Sequence, residues 1–240
     1  MTMENLMLQG LTKTQAAIAQ GQSLFQYKVK SVNEGMGKTE LVIKKSTNQK
    51  LGRKVTKGRL NGMPIFTVTL EERKTCSDTC AHWKTCYGNN MHLATRYVAD
   101  EHLITAMHKE LIVLQKKYSK GFLVRLHVLG DFFSVEYVKQ WQQWLDMFPA
   151  LHVYGYTQRG RDTAIGKLVN AMIRPRWQVR TSGDINSPTM TALSGDNPLA
   201  MDKVKHKQAF ICPVQLNRVD SCGSCGLCWQ ASKPVIFLTH

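Results

Sequence analysis

The chain has 240 residues, of which 43% are hydrophobic and 20% are charged, so it can bury one sizeable core and is unlike a disordered chain. Thirty-two Lys and Arg against seventeen Asp and Glu give a net charge of +15, which favours nucleic acid, DNA or RNA, as a partner over a merely solvated basic surface. No run approaches the roughly 20 apolar residues of a membrane span, and residues 1–20 lack the pattern of a signal peptide, so we expect a cytoplasmic protein without membrane association.

Residues 1–62 are predicted to form a basic accessory segment, with a short helix over Lys13–Ala19 and then Gly-punctuated, partly stranded sequence. Up to Lys74 the chain has thirteen Lys or Arg against five Asp or Glu. The densest stretch contains Lys44, Lys45, Lys50, Arg53, Lys54, Lys57 and Arg59. This surplus predicts an arm that contacts phosphates, and nothing in it indicates recognition of a base sequence.

Residues 63–240 alternate between strand-like and helix-like patterns. The predicted strands are Ile65–Leu70, Phe122–Leu129, Leu151–Thr157, Trp177–Ser182, Ala209–Ile211 and Val235–Thr239. Strands that alternate with helices of about ten to fifteen residues predict βαβ units and a parallel sheet. We therefore expect an α/β fold of about six strands, either a partial parallel β/α barrel or an open sheet, with a cysteine knuckle near its C-terminal end.

Three helices are predicted between these strands. The first buries an apolar face formed by Leu103, Met107, Leu111 and Leu114. Ser134 is predicted to cap the second, whose buried residues are Val138, Trp141, Leu145 and Phe148. Asp162 is predicted to cap the third, which buries Ile165, Leu168 and Met172. The stretch between the fourth and fifth strands contains proline and is predicted to be irregular.

Alternation along two of the strands separates apolar from polar side chains. Val124, Leu126 and Val128 are predicted to share one face, with Arg125 and His127 on the other. In the later strand Val179 lies opposite Gln178, Arg180 and Ser182. If the apolar faces pack on helices, the polar side chains project into the interior of the barrel, whereas a structural barrel would be filled with branched apolar residues.

Three cysteines follow the first strand in the spacing Cys76-x3-Cys80-x5-Cys86. Seven cysteines cannot all pair, and disulfides are rare in a reducing cytoplasm, so metal ligation is the default interpretation. Three thiolates can hold three irons of a four-iron cluster and leave the fourth iron open, whereas structural zinc normally has four protein ligands. His82 could supply a fourth ligand to zinc, and unligated thiols are the remaining alternative.

The other four cysteines lie near the end of the chain, as Cys212, Cys222, Cys225 and Cys228. Two successive x2 spacings are similar to a ferredoxin-type run, and Cys212 supplies a fourth thiolate. Zinc bound by all four thiolates is the competing interpretation, because both metals accept tetrahedral thiolate sets. Three plus four accounts for every cysteine, which favours two separate sites.

Polar and glycine residues end three successive strands, at 130–134, 154–160 and 180–184. In β/α proteins this is where ligand-binding groups lie, so we expect one continuous rim there. The predicted cofactor-binding residues are Gly130, Asp131, Thr157 and Ser182, and the predicted catalytic residues are Asp131, Arg125, His127 and Arg180. For Asp131 the alternative is an exposed residue at a turn before a helix.

The runs TCSDTCAHWKTCYGNNM, RLHVLGDFFSVEYVKQW, VYGYTQRG and CGSCGLCW together resemble the phage and plasmid family called gene product eighty-eight, over about residues 64–240. That resemblance implies no chemistry, but it places a phage-encoded protein in the cytoplasm of the host cell. A more distant likeness is to the radical SAM barrel, in which a three-cysteine loop after the first strand holds a four-iron cluster and S-adenosylmethionine. That superfamily usually has Cys-x3-Cys-x2-Cys, so the last spacing differs here.

Two functions fit these observations. The first is an iron-sulfur enzyme acting on nucleic acid or a nucleotide, with one or two four-iron clusters; the radical SAM likeness implies that Cys76, Cys80 and Cys86 activate S-adenosylmethionine. The second is a non-catalytic nucleic-acid-binding protein whose zinc or iron-sulfur sites only fold loops. The second explains the charge and the cysteines equally well, but it does not explain the polar inward face or the rim. The sequence leaves the oligomeric state open.

Overall fold

The computed structural model describes residues 13–32, 41–172 and 174–238. The strands are β1 Val29–Lys30, β2 Lys44–Lys45, β3 Ile65–Thr67, β4 Arg96–Tyr97, β5 Phe122–Arg125, β6 Leu151–Thr157, β7 Trp177–Ser182, β8 Thr191–Ser194, β9 Phe210–Ile211 and β10 Val235–Phe237. The helices are α1 Lys13–Ala19, α2 Glu72–Thr75, α3 Glu101–Lys117, α4 Val135–Met147, α5 Ala164–Ala171, α6 Pro198–Lys205, α7 Cys222–Cys225 and α8 Leu227–Gln230.

The main sheet has eight strands in the order β2-β3-β5-β6-β7-β8-β10-β9. Only the β2–β3 pair is antiparallel, and β3 to β9 run parallel. The predicted mixed α/β fold with a mostly parallel sheet is therefore confirmed. Within the described residues no pairing joins the outer strands β2 and β9, so the closer prediction of a partial barrel stays a prediction.

One face of the sheet packs against α3, α4 and α5. The four predicted apolar residues of α3 are all buried, and the predicted face of α4 contributes Val138, Trp141 and Leu145. From the sheet, Phe122, Val124 and Val179 join the same cluster. The apolar faces predicted from helix periodicity and from strand alternation thus pack together in one core.

The other face of the sheet is covered by two segments distant in sequence. Leu51, Val55 and Leu60 come from the basic N-terminal region, whereas Cys212, Cys228 and Trp229 come from the C-terminal cysteine run. Both sets pack on Ile65, Leu123, Tyr154, Ala192 and Val235 of the sheet. Part of the segment predicted to be accessory therefore belongs to the core, and β2 is an edge strand of the sheet itself.

Several predicted elements are confirmed: β6 and β7 have the predicted bounds, and the other predicted strands are shorter than expected. The helix over Lys13–Ala19 is present, and the Ser134 hydroxyl caps α4 by accepting from the Tyr137 N–H. The strand predicted to run to Leu129 ends at Arg125. Of the last predicted strand, β10 covers Val235–Phe237, and Thr239 lies outside the described residues.

Two predictions about the later elements are wrong. Asp162 does not cap α5: the Thr163 hydroxyl accepts from the Gly166 N–H, because a turn closed by the Thr163 N–H on the Gly160 carbonyl starts the helix one residue later. The stretch expected to be irregular contains β8 and α6. Its signals were weak because β8 is four residues long and α6 begins at Pro198, where proline is favoured rather than disruptive.

His127 does not share a face with Arg125, because its φ of 51° reverses the side-chain alternation after β5. Its ring packs edge-on to Phe132 at 4.7 Å, and Nε2 lies 3.2 Å from the Tyr137 hydroxyl, on the side that packs against helices. Val128 accordingly turns to the opposite cluster, away from Leu126. A left-handed residue without glycine leaves no periodicity signal, so strand alternation alone could not predict this reversal.

Across the described ranges, no helix is both long enough and apolar enough to cross a membrane.

Candidate metal and nucleic-acid sites

The first cysteine group lies in the three-thiol loop, which we define as residues 76–86. Cys76 ends α2, and Cys86 precedes a 3₁₀-helix over Tyr87–Asn90. All three thiols are unpaired and partly exposed. A reagent from solution can therefore approach them.

A buried ion pair closes this loop at its base. The Arg96 Nε lies 2.9 Å from a carboxylate oxygen of Glu72, and the two side chains are 0% and 2% exposed. The rest of the guanidinium donates to the carbonyl oxygens of Gly88, Met91 and Ala94. One arginine thus ties the residues before the loop to those after it, and every charge it buries is matched by acceptors.

Arg73 supports the middle of the same loop. Its guanidinium stacks 4.7 Å from the centre of the Trp83 ring and donates to the Trp83 carbonyl and to Asn89 Oδ1. Burial raises the pKa of the Cys86 thiol, and the Gly88 N–H and the positive charge of Arg73 oppose that rise. Arg73 therefore favours a thiolate within the loop.

Asp131 lies beneath the loop, at the ends of β5 and β6. Its carboxylate accepts from the backbone N–H groups of Phe132 at 2.7 Å and Gln158 at 2.8 Å. Its own N–H donates to the Thr75 hydroxyl, next to Cys76. Burial raises the pKa of Asp131, and a hydrogen bond from Thr157 opposes the rise. The carboxylate joins two strand ends to the base of the loop.

The three thiols share an environment that opposes their ionisation in the absence of a cation. Burial raises the pKa of Cys76 well above its usual range, and the negative charges of Asp131, Cys80, Cys86 and Glu72 raise it further. For Cys80 burial is again the main cause of a raised pKa, opposed by a hydrogen bond from the His82 N–H. A bound cation would reverse this balance, because metal binding displaces thiol protons.

The second cysteine group is the four-thiol site, formed by Cys212, Cys222, Cys225 and Cys228. All four residues line one cavity beneath the sheet, of about 250 Å³ including space open to solvent. The surrounding residues are apolar, among them Phe210, Val214, Leu227, Trp229 and Val235. Within the described ranges, no three Cys, His, Asp or Glu side chains in either region converge closely enough to hold a single ion.

Hydrogen-bond donors surround the four-thiol site. The Tyr156 hydroxyl donates to Cys228 Sγ at 2.9 Å, and the Leu227 N–H donates to the Cys225 sulfur. Two further donors are buried without a protein partner, the Tyr154 hydroxyl and the Trp229 indole N–H. Trp229 lines the cavity, and Tyr154 interacts electrostatically with Cys222 and Cys228. These two donors therefore fit an occupant that carries acceptor atoms.

Two arginines compensate negative charge at this site. The pKa of Cys222 is raised to about 12, mainly by burial and also by the neighbouring thiols Cys228 and Cys212, and Arg125 opposes the rise. Arg180 is fully buried and donates to the carbonyl oxygens of Cys228, Ala231 and Lys233. Arg180 therefore fixes the backbone of the cysteine run as well as lowering the electrostatic cost of a thiolate.

The structure separates the four residues predicted to be catalytic. Asp131 lies at the base of the three-thiol loop. Arg125 stacks on Tyr156 at 4.6 Å and Arg180 holds α8, so both face the four-thiol site. His127 is buried among Phe132 and Tyr137, and burial lowers its pKa to about 3. Their catalytic roles stay predictions.

The predicted rim is continuous in its hydrogen bonds. Of the predicted cofactor-binding residues, Thr157 contacts Asp131, and Gly130 makes the turn before it with a φ of 85°. Further along, Arg161 forms an ion pair with Asp184, which joins the loop after β6 to the loop after β7. Ser182 lies at the end of β7, paired with Ala192. Cofactor binding by these residues stays a prediction.

Sequence reasoning missed the charged residues that hold the loop. Glu72, Arg73 and Arg96 are buried, whereas charged residues are usually exposed, and the partners Glu72 and Arg96 are 24 positions apart. Arg159 lies within the predicted strand end 154–160 without a predicted role of its own, yet it donates to the carbonyl oxygens of Phe132 and Thr75. Nothing in a single sequence distinguishes such arginines from surface ones.

The fold and the two cysteine groups together define a mixed α/β protein with one partly exposed three-thiol loop and one four-thiol site, in which Cys212 and Cys228 are buried and the other two cysteines are partly exposed. The chain belongs to the Gene product 88 family, whose model matches residues 41–231. The matched range includes the lysine- and arginine-rich residues from Lys44 to Arg59. Searches of curated proteins and of solved structures found no match to the chain.

Proposed function

We propose that this protein is an iron-sulfur enzyme that acts on nucleic acid or on a nucleotide. The observation that carries the proposal is the difference between the two donor sets, because three thiols stand in a partly exposed loop and four thiols line one cavity. A catalytic metal needs an open coordination position, whereas a structural metal is saturated by protein ligands. The loop is the candidate catalytic centre, and the four-thiol site is auxiliary.

A four-iron cluster fits the four-thiol site in its donor set and its surroundings. Thiolates of Cys212, Cys222, Cys225 and Cys228 match the ligands such clusters require. The cavity is lined by apolar side chains, and the orphaned donors of Tyr154 and Trp229 could reach sulfur acceptors. Hydrogen bonds to sulfur are one of the means by which proteins tune such clusters.

The three-thiol loop would hold a second cluster with one iron free. Cys76, Cys80 and Cys86 are the protein ligands in this proposal, and Arg73 and the His82 and Gly88 N–H groups support their thiolates. S-adenosylmethionine is the proposed ligand of the free iron, where a reduced cluster would supply the electron for its cleavage. The protein would then have to orient the substrate and exclude water.

Asp131 has a narrower role in this proposal than its position in the sequence suggested. Three donors from residues 132, 157 and 158 already reach its carboxylate. It can therefore position the loop and the strand ends, with little capacity left to bind a cofactor directly. A partial β/α barrel would bring the rim around the same site.

Nucleic acid is the proposed substrate class because of charge and of one exposed aromatic side chain. Tyr87 follows Cys86 directly and is 56% exposed as a whole residue, whereas burial around its hydroxyl raises its pKa to about 12. An exposed tyrosine beside an open metal site offers a stacking surface for a base, and the net charge of +15 attracts phosphates.

Anaerobic preparation followed by iron, sulfide and zinc analysis tests the metal. The proposal expects brown protein with acid-labile sulfide, and the Cys80→Ser variant should lose the iron of one site only. Electron paramagnetic resonance of the reduced protein should change when S-adenosylmethionine is added, and Asp131→Ala should weaken that change. Colourless, air-stable protein that contains only zinc would overturn the enzyme and favour the binding protein.

Two intermediate results separate the parts of the proposal. A cluster spectrum that ignores S-adenosylmethionine removes the radical chemistry and leaves a cluster whose free iron binds substrate directly. Zinc closed by His82 predicts no paramagnetic signal and a loss of metal in His82→Ala. That variant is informative because the His82 side chain is exposed, so its removal should not disturb the core.

A further inference from the structure

The segment 50–59, which we call the basic segment, is attached to the four-thiol site. It contains Lys50, Arg53, Lys54, Lys57 and Arg59 and no acidic residue, and these five side chains are exposed. Its apolar side chains, Leu51 and Val55, are buried in the cluster that contains Cys212 and Cys228. Charges therefore face solvent while the apolar residues face the thiols.

Backbone hydrogen bonds join the basic segment to the first residues of α7. The Cys222 N–H donates to the Lys50 carbonyl at 2.7 Å, and the Gly223 N–H donates to the Leu51 carbonyl at 3.0 Å. In return the Thr56 N–H donates to the Gly223 carbonyl at 3.0 Å. A metal ligand and its neighbour are thus the direct backbone partners of the segment.

The contact is too close to tolerate even a methyl group. A Cβ atom on Gly223 would lie 2.3 Å from the Lys54 carbonyl oxygen, and one on Gly52 would lie 2.9 Å from the Ser221 hydroxyl. The opposite edge of the segment is tied to the sheet, because the Val55 N–H donates to the Met63 carbonyl and the Ile65 N–H donates to Arg53. The basic segment is held between β3 and the cysteine run.

We propose that the four-thiol site and the basic segment form one nucleic-acid-binding unit, in which metal at the thiols holds the five basic side chains in place for phosphates. This inference rests on the proposed metal at that site. Phosphate recognition depends on positive charges held along a backbone, and loss of a structural metal releases the segments it organises.

Nucleic acid fits this surface better than a membrane or a protein partner. A membrane-bound segment needs an exposed apolar face, and the core of a protein interface is enriched in aromatic residues and depleted of lysine. The basic segment offers neither, because its two large apolar side chains point inward. Its exposed positions other than the basic ones are Thr56 and Gly58.

The test uses the full chain, anaerobically loaded with metal, and a labelled single-stranded oligonucleotide at several salt concentrations. Removal of metal with a chelator should weaken binding by about tenfold or more, and reloading should restore it, because the charges lose their fixed positions. The Arg53→Glu/Lys57→Glu variant should reduce the salt slope by about 1.4, since two phosphate contacts are lost from a single strand. The matched control, Lys116→Glu/Lys120→Glu, changes exposed residues elsewhere and should leave the slope unchanged.

Gly223→Ala tests the mechanical link without removing a ligand. Its methyl group should displace the basic segment and weaken binding while the metal content stays at the wild-type value. Preferential binding of polyglutamate over the oligonucleotide would overturn the choice of partner. Oligonucleotide affinity that survives chelation of a metal-loaded protein would overturn the coupling and leave the iron-sulfur enzyme standing. Protein that contains no metal in any preparation would overturn both the coupling and the iron-sulfur enzyme, even if Gly223→Ala still weakened oligonucleotide binding.

Discussion

The two cysteine groups are held in place by different kinds of interaction. Around the three-thiol loop the support is ionic, with Glu72 and Arg96 buried at its base and Arg73 inside it. Around the four-thiol site it is mostly apolar packing and backbone hydrogen bonds, with Arg180 bound to carbonyl oxygens rather than to a carboxylate. The three-thiol loop is therefore held by a few specific charges, and the four-thiol site by many small contacts.

The difference indicates how each region should respond to mutation. A buried pair becomes strongly destabilising when one partner is removed, because the other charge stays unpaired. An apolar site with several backbone bonds loses stability gradually, since each contact contributes little. Single substitutions should therefore disturb the loop more sharply than the four-thiol site.

The largest effect is expected from Glu72→Ala. Arg96 would keep its carbonyl partners but lose its ion-pair partner, so unfolding in urea should become easier by about 3–5 kcal/mol. Glu101→Ala is the control, because that side chain is 85% exposed and its loss should cost within about 0.5 kcal/mol. Equal midpoints for the two variants would contradict an ionic basis for the loop.

Gly130→Ala should destabilise the base of the loop by about 1–3 kcal/mol. Its φ is 85°, and a Cβ would meet the Thr75 hydroxyl at 2.6 Å and Leu70 Cβ at 2.7 Å. Gly183 has a φ of 78° but no atom within 4 Å of such a Cβ, so Gly183→Ala measures the backbone strain alone. The difference between the urea midpoints of the two variants measures the cost of the contacts with Thr75 and Leu70. Equal midpoints would show that these side chains move aside at no cost.

Acid should destabilise the folded protein through His127, which is buried against Phe132 and Tyr137. Its pKa in the folded protein is about 3, lowered from 6.5 by burial and by Arg125. The unfolded chain binds the proton first, so stability is complete above about pH 6.5 and falls by up to about 1.4 kcal/mol per unit as the pH drops from there toward 3. His127→Asn, which tolerates the left-handed backbone, should flatten that slope, and an unchanged slope would place the acid sensitivity elsewhere.

The smallest effect is expected at the four-thiol site. Tyr156→Phe removes the hydrogen bond to Cys228 and should cost about 1 kcal/mol, with metal lost about tenfold more readily. Tyr154→Phe removes a hydroxyl without a protein partner, so metal-free protein should keep its stability. Metal-loaded protein should weaken in both variants. If Tyr154→Phe behaves identically with and without metal, that hydroxyl does not contact the occupant.

Sequence reasoning predicted the sheet and its helices best where apolar residues follow a regular period. Leu103, Met107, Leu111 and Leu114 define α3 by spacing alone, and all four are buried. The method failed at β8 and α6, which are short and flanked by proline. It also failed at His127, where one backbone angle reverses the faces of His127 and Val128.

The division of the cysteines into two groups could be predicted from the sequence, because cysteine spacing is a local property. The burial of Cys212 and Cys228 could not be predicted, because it depends on Leu51, Val55 and Trp229 packing together from opposite ends of the chain. The buried partners Glu72 and Arg96 were likewise hidden, since their contact is set by the fold around them. Local chemistry was predictable and tertiary placement was not.

The position of β10 has a consequence for synthesis on the ribosome. Although β10 follows β9 in sequence, it lies between β8 and β9 in the sheet, so β9 has no neighbour until residues 235–237 have left the exit tunnel. Cys212 follows β9 directly and donates its N–H to the Ile236 carbonyl at 2.9 Å. The nascent chain can complete the three-thiol loop before β10 is made, but its four-thiol site must wait until β10 has emerged, so a cofactor of that site would be inserted after one of the loop.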